Sequence, residues 1–217
     1  MKKKIIIFDL DGTLLDTVAD LAGATNHALR TLGFEAHPVD AYYHFVGRGI
    51  MNLFRAALPE DSRDEETVSR MRDLFVPYYN AHNTDASHPY LGITALLEEL
   101  QTKGITLAVA SNKYQQATEK LIKHFFPTIH FAFILGQREG FPMKPDPAIV
   151  RLIIEQTGFH TDEVLYVGDS GIDMQTASNA SVESIGVTWG FRPIDELTVN
   201  GACHIAYMPS DILSLTN

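Results

Sequence analysis

The sequence predicts an α/β fold, a Rossmann-like parallel sheet flanked by helices and interrupted by an inserted α-helical cap domain. Three observations carry that expectation. Ile5-Ile6-Ile7-Phe8 is an unbroken apolar run ending at Asp9, the pattern of a strand buried on both faces. From Pro89 onward, helical and strand patterns alternate, as they do in βαβ units. Between these two regions lies a long block of helical periodicity with no strand pattern in it.

Taken in order, the first strand covers residues 4–9 and opens at its C-terminal end into Asp9-Leu10-Asp11-Gly12-Thr13. Val18, Leu21, Thr25, Ala28, Leu29 and Leu32 then recur at helical spacing, and Gly33 supplies a stop. Short helices are expected at 38–45 and 50–58, and a longer one at 64–79 with Val68, Met71, Leu74, Phe75 and Tyr78 on one face. The stretch 82–89 is polar and turn-prone, a return linker. Strands follow at 105–110, 131–135, 164–167, 184–187 and 204–206, with helices in the gaps. Parallel strands need crossover connections, so the first strand belongs to this later sheet and the helical block is an insertion. The expected division is a core of residues 1–15 and 88–217 and a cap of residues 16–87.

Composition sets outer limits. The chain has 217 residues, 45% hydrophobic and 20% charged, ordinary for a globular protein with a real core. Seventeen basic against 27 acidic residues give a net charge of −10, a field that repels nucleic acid and anionic membranes. Any anionic substrate must therefore be held by a local positive site. Cys203 is the single cysteine, so no intramolecular disulfide is possible; a reducing, cytoplasmic setting is expected, with Cys203 as a small core residue. The start Met1-Lys2-Lys3-Lys4 precedes an apolar run too short for a signal peptide, and no segment reaches membrane-span length.

The chemistry is concentrated at one sheet edge. Alternation along an extended backbone sends Asp9 and Asp11 to opposite sides, so one carboxylate can attack while the other handles protons. A calcium loop is excluded, because Gly12 comes too early and a strand, not a helix, precedes it. Ser111-Asn112 follow the strand at 105–110, Lys144-Pro145 open a helix, and Asp169, with Asp173 beyond it, follows the strand at 164–167. Singly, each has a mundane reading as a helix cap, a solvated lysine or a helix-start acid. Together, at strand ends of one parallel sheet, they form a set of parts for phosphoryl transfer through an aspartyl phosphate. An attacking carboxylate and a phosphoryl group repel, so a divalent cation held by Asp9 and Asp169 is expected, and hard oxygen ligands point to Mg²⁺.

In order and context, Asp9-Leu-Asp-Gly-Thr13, Ser111-Asn112, Lys144-Pro-Asp-Pro147 and Gly168-Asp-Ser-Gly-Ile-Asp173 resemble the four motifs of the haloacid dehalogenase superfamily. The likeness spans essentially the whole chain, and the helical insertion looks like that superfamily's cap of the first type. Leu14-Leu-Asp-Thr17, Val46-Gly-Arg-Gly49 and Thr188-Trp-Gly-Phe191 are similar to bacterial phosphoglycolate phosphatases. The resemblance implies Asp9 as nucleophile and Asp11 as general acid and base. It implies Ser111 and Lys144 as phosphoryl holders, with Asn112 beside them, and Thr13 as an orienter of the first loop. Mg²⁺ would be bound by Asp9, Asp169 and the backbone carbonyl of Asp11, with Asp173 a ligand or orienter.

Asp11 argues for phosphate chemistry over dehalogenation, since halide departure needs no proton. The implied substrate is a small phosphorylated metabolite, with no nucleic acid or membrane partner, acted on by a monomer or homodimer. The alternatives are a β-phosphoglucomutase-like phosphotransferase, a pyrophosphatase or a sugar phosphatase. From a different class, a receiver-type phospho-accepting module would need no helical insertion. Arg48, between Gly47 and Gly49, is the candidate to grip a substrate carboxylate. Lys113, beside the second motif, could help bind an anionic group, though a solvated lysine is the commoner outcome; His124, His130 and His160 are read as surface or structural residues, and Phe125, Phe126, Phe131 and Phe133 as core packing.

Overall fold

A computed structural model describes residues 2–216. Strand β1 (Ile5–Phe8) is buried along its whole length. A short β2 (Leu15–Asp16) leads into the helical block: α1 (Val18–Thr31), α2 (Tyr42–Phe45), α3 (Ile50–Ala57) and α4 (Glu65–His82). After β3 (His88–Pro89) the chain runs α5 (Ile93–Thr102), β4 (Thr106–Tyr114), α6 (Gln115–Phe125), β5 (Phe131–Gln137) and α7 (Ala148–Thr157). It ends with β6 (Val164–Gly168), α8 (Gly171–Ala180), β7 (Glu183–Val187), α9 (Ile194–Val199), β8 (His204–Ala206) and α10 (Asp211–Ser214).

Six of these strands form one parallel sheet in the order β5-β4-β1-β6-β7-β8. Period-two alternation explains how it is buried. Ile6 and Phe8 join Leu107, Val109, Leu165 and Val167 under α5 and α6, while Ile5 and Ile7 join Ala108, Ala110, Val164 and Tyr166 under α7 and α8. A strand with a helical layer on each face can be apolar at every position, which is why the opening run shows no alternation. Because β1 lies between β4 and β6, the ends of all three carry their loops to one place, the position where open α/β sheets bind ligands.

The helical block has its own core, built from Leu21, Leu29, Tyr42, Leu53, Phe54, Met71 and Phe75 among others. Helix α4 accommodates Pro77 and continues three residues past the expected end, to His82. Its buried face is Val68, Met71, Phe75 and Tyr79; Tyr78, expected on that face, is only partly buried. The block leaves and returns through a small antiparallel pairing, Leu15 with Pro89 and Asp16 with His88. So the end of the expected linker is a strand.

Buried Asp20 pins the return. It accepts hydrogen bonds from the backbone N–H of Ala86 and Ser87, at 3.0 and 2.8 Å, and from the Ser87 hydroxyl at 2.6 Å. Arg192, after β7, reaches across to the block and donates to the carbonyls of Tyr43, His44 and Val46.

Two expectations fail at the level of single residues. Cys203 is exposed, because it stands in the loop just before edge strand β8 and no layer covers it. Strand β4 runs on to Tyr114, so Ser111 and Asn112 lie within the strand instead of after it. His124, His130 and His160 are exposed as expected, and Phe126 and Phe131 pack in the core with Phe125 and Phe133 against it. Among the described residues no helix is long and apolar enough to cross a membrane.

Candidate active site

Asp9 extends β1 by one hydrogen bond, its N–H donating to the Val167 carbonyl at 2.9 Å, and this fixes its side chain at the sheet edge. Lys144 Nζ donates to Asp9 Oδ1 and to Asp173 Oδ1, each at 2.8 Å, and to the Tyr166 hydroxyl at 3.0 Å. Asp9, Asp169 and Asp173 each present a carboxylate oxygen within 4.8 Å of the others, and all three are buried.

Each of the two later carboxylates is held by the loop that carries it. Asp173 stands at the third position of α8, where its Oδ2 takes the Ser170 N–H at 3.1 Å and hydroxyl at 2.6 Å as half of a capping box. Asp173 therefore caps the helix with one carboxylate oxygen and meets Lys144 with the other. Asp169 accepts from the Thr13 hydroxyl at 3.3 Å and from the Phe191 N–H at 2.7 Å. Gly12 and Gly190 lie against it so tightly that a Cβ on either would collide with its side chain, and Gly12 also has φ +87°.

Three buried carboxylates face a single ammonium, and the imbalance shows in their acidity. Burial pushes Asp9 up to about 7, with Lys144 pulling down and Asp173 pushing up. Burial, then Asp173 and Asp9, holds Asp169 well above the usual carboxylate range. For Lys144 burial favours the neutral form, but Asp173 and Asp9 outweigh it and keep the ammonium well above its ordinary value. A cluster of hard oxygen donors with surplus negative charge suits a divalent cation such as Mg²⁺, and Asp9, Asp169 and Asp173 are the side chains placed to hold one.

Asp11 turns the other way and is not in that cluster. Its Oδ1 receives the Thr17 hydroxyl at 2.6 Å and lies 3.0 Å from Lys113 Nζ. The reading of Lys113 as solvated is wrong: the residue is 5% exposed, sits in strand β4 and carries its ammonium 4.9 Å above the Tyr79 ring. A strand that continues past Ala110 brings position 113 back to the cavity side, a consequence hidden from any reading that ends the strand at 110.

The remaining candidates differ in what they touch. Ser111 is 2% exposed and lines the cavity beside Asp9. Asn112 is a tie: its amide donates to the carbonyls of Lys144 at 3.1 Å and Gly47 at 3.2 Å, and its oxygen accepts from Lys144 N–H at 2.9 Å. Thr13 serves Asp169 and receives the Trp189 indole N–H on its carbonyl at 3.0 Å. Lys144 lies in a turn that precedes α7, not at the helix start, because α7 begins at Ala148. The structure does not bring Arg48 to Asp9. Arg48 is exposed and lines outer clefts, while Gly47 and Gly49 on either side of it line the inner cavity.

That cavity, about 40 Å³, is bounded on the sheet side by Asp9, Asp11, Ser111, Asn112 and Lys113. On the helical side Leu21, Val46, Ile50 and Leu53 close it. Sequence reasoning missed the bridging role of Arg192 and the linker contact of Asp20. Both contacts span distant parts of the chain and leave no periodic trace.

The fold and the site together define a class. A family model for haloacid dehalogenase-like hydrolases matches residues 6–187, and the chain belongs to that family. Within it the chain is a phosphoric monoester hydrolase by its likeness to phosphoglycolate phosphatases. The one from Agrobacterium fabrum is 37% identical over 88% of this chain and 82% of its own length. That from Vibrio parahaemolyticus is 33% identical over 98% of this chain and 95% of its own. A crystal structure from Lactobacillus delbrueckii subsp. bulgaricus, 33% identical, superimposes with a TM-score of 0.90 over 100% of this chain and 99% of its own.

Proposed function

We propose that this protein hydrolyses a small phosphate monoester of the phosphoglycolate type, through an aspartyl phosphate on Asp9 and with Mg²⁺ as cofactor. The observation that carries this reading is the opposite facing of two carboxylates two residues apart. Asp9 points into a cation-seeking cluster with Lys144, and Asp11 points to the buried Thr17 hydroxyl and to Lys113.

Asp9 attacks phosphorus while Lys144 and the Ser111 hydroxyl hold the equatorial oxygens. A bound Mg²⁺ would neutralise charge between the carboxylate and the phosphoryl group. Asp11 protonates the departing ester oxygen, then takes a proton from the water that cleaves the aspartyl phosphate. Asn112 keeps Lys144 in place through its two backbone contacts. The helical unit of residues 16–87 acts as a cap that excludes bulk water and meets the leaving group with an apolar wall. Arg48, outside the cavity, has no part in this reading.

The phosphoglycolate-like substrate is supported by the named relatives and by a cavity that sets one lysine opposite an otherwise apolar wall. Phosphate release from phosphoglycolate, sugar phosphates, nucleotides and pyrophosphate with Mg²⁺ tests it, with Asp9→Asn as the blank. Phosphoglycolate should be the best of the panel, and a wild-type rate equal to the blank would refute hydrolysis.

A further inference from the structure

Lys113 is the one cation lining the cavity among the described residues, and the chemistry above leaves it without a task. Its side chain is 3% exposed, a costly place for an ammonium. Its carboxylate partner among the described residues is Asp11 Oδ1, at 3.0 Å, and that oxygen already takes the Thr17 hydroxyl. An ammonium has three donors, so two are left for whatever enters the cavity. Tyr79, brought by α4 from the helical block, supports it with a ring face and so keeps it extended toward the cavity.

The surroundings define the ligand. The wall facing Lys113 is Leu21, Val46, Ile50 and Leu53, which offers an anion no side-chain donor. Lys144 lies on the opposite side, against Asp9 and Asp173, where the phosphoryl group would sit. Asp11 marks where the ester oxygen departs, and Lys113 Nζ lies one contact beyond it. A leaving group bearing a carboxylate one carbon from that oxygen would fill the small cavity and meet the free donors.

We infer that Lys113 determines specificity by binding a carboxylate on the leaving group, the role the sequence suggested for Arg48. The inference rests on the phosphomonoesterase reading but concerns a different residue and a separable step. On entry the ammonium keeps its ion pair with Asp11 and donates one further hydrogen bond to the substrate; no covalent change is involved. The apolar wall then rejects longer or multiply hydroxylated leaving groups.

The test uses the full chain with Mg²⁺ and two unreactive ligands of equal length, 3-phosphonopropionate with a carboxylate and propylphosphonate without one. By calorimetry the wild type should bind the first about 10- to 100-fold more tightly, as expected for a buried charge-assisted contact. Lys113→Met should cut the difference to within about threefold and leave propylphosphonate binding nearly unchanged, while Lys113→Arg should retain the preference. Should the Met variant not fold, Lys113→Gln is expected to lose the preference in the same way. A preference that survives in Lys113→Met, disappears in Arg48→Ala, or is absent from the wild type overturns the inference. So does an equal loss on both ligands, which would place Lys113 at the phosphoryl group. Phosphoglycolate turnover separates the two readings. Binding through Lys113 without turnover sinks the proposed reaction and leaves Lys113 standing; turnover with an intact preference in Lys113→Met does the reverse.

Discussion

Asp9 and Asp11 are two residues apart and live in opposite electrostatic worlds. Asp9 shares a buried cluster with two more carboxylates and one lysine, so negative charge is in excess. Asp11 has a hydroxyl and an ammonium of its own. The pleat of an extended backbone separates them, and the loops of different neighbouring strands finish the job: β6 supplies Asp169 on one side, and β4 supplies Lys113 on the other. Similar residues acquire different electrostatic surroundings because the topology gives them different neighbours.

Removing the first side of this comparison should have the largest effect. Asp9→Asn should lower turnover by more than about 10⁴-fold, as loss of a nucleophile does. It should also raise the melting temperature of the metal-free protein, since one of three crowded carboxylates is gone. A melting temperature that falls would contradict the charge imbalance described above.

Changing the second side should be smaller and different in kind. Asp11→Asn should cost about 10²- to 10⁴-fold in turnover, the worth of a positioned acid and base. Because dephosphorylation also needs that base, intact-protein mass spectrometry should detect a phosphoryl adduct that accumulates in this variant and is absent from Asp9→Asn. An Asp11→Asn enzyme without such an adduct would mean that the two carboxylates do not divide the labour.

Lys144→Met probes the balance within the cluster. It should lower turnover by about 10²- to 10³-fold, the range seen for one preorganised electrostatic partner. It should also destabilise the metal-free protein by about 3–5 kcal/mol, because it leaves buried carboxylates uncompensated. Thermal melts with and without Mg²⁺ would show whether the cation recovers part of the loss.

The smallest expected effect is the pH dependence of the wild type. Asp9 binds its proton more tightly folded, with its value near 7, than unfolded, near 3.8. A raised carboxylate stabilises the metal-free fold below the unfolded value, and that contribution is lost as pH rises through about 7. Mg²⁺ needs the deprotonated ligands, so the rise in melting temperature on adding it should be larger at pH 8 than at pH 5, by a few degrees. An equal rise at both values would place the cation elsewhere.

Much of this arrangement was legible in the chain. The run Ile5–Phe8 followed by Asp9 needed only its lack of alternation to be read as a two-sided strand, and Asp9, Lys144 and Asp169 were each placed by the strand or loop beside them. What the sequence obscured follows from longer-range packing. β4 continues beyond Ala110 because the sheet edge and the helical block together cover Ser111, Asn112 and Lys113, and local propensity carries no sign of that cover. Arg48 shows the same limit: the glycines on both sides suggested a close approach to the substrate, and in the structure they line the inner cavity while the guanidinium lines the outer clefts.

The sequence by itself determined the order of elements, the membership of β1 in the later sheet and the residues near the strand ends, since period and turn chemistry are local. Only the tertiary structure decided which charges meet. A carboxylate's role depends on burial and on partners within a few ångströms, and here those partners come from segments more than a hundred residues away, as Lys144 does for Asp9 and Lys113 for Asp11.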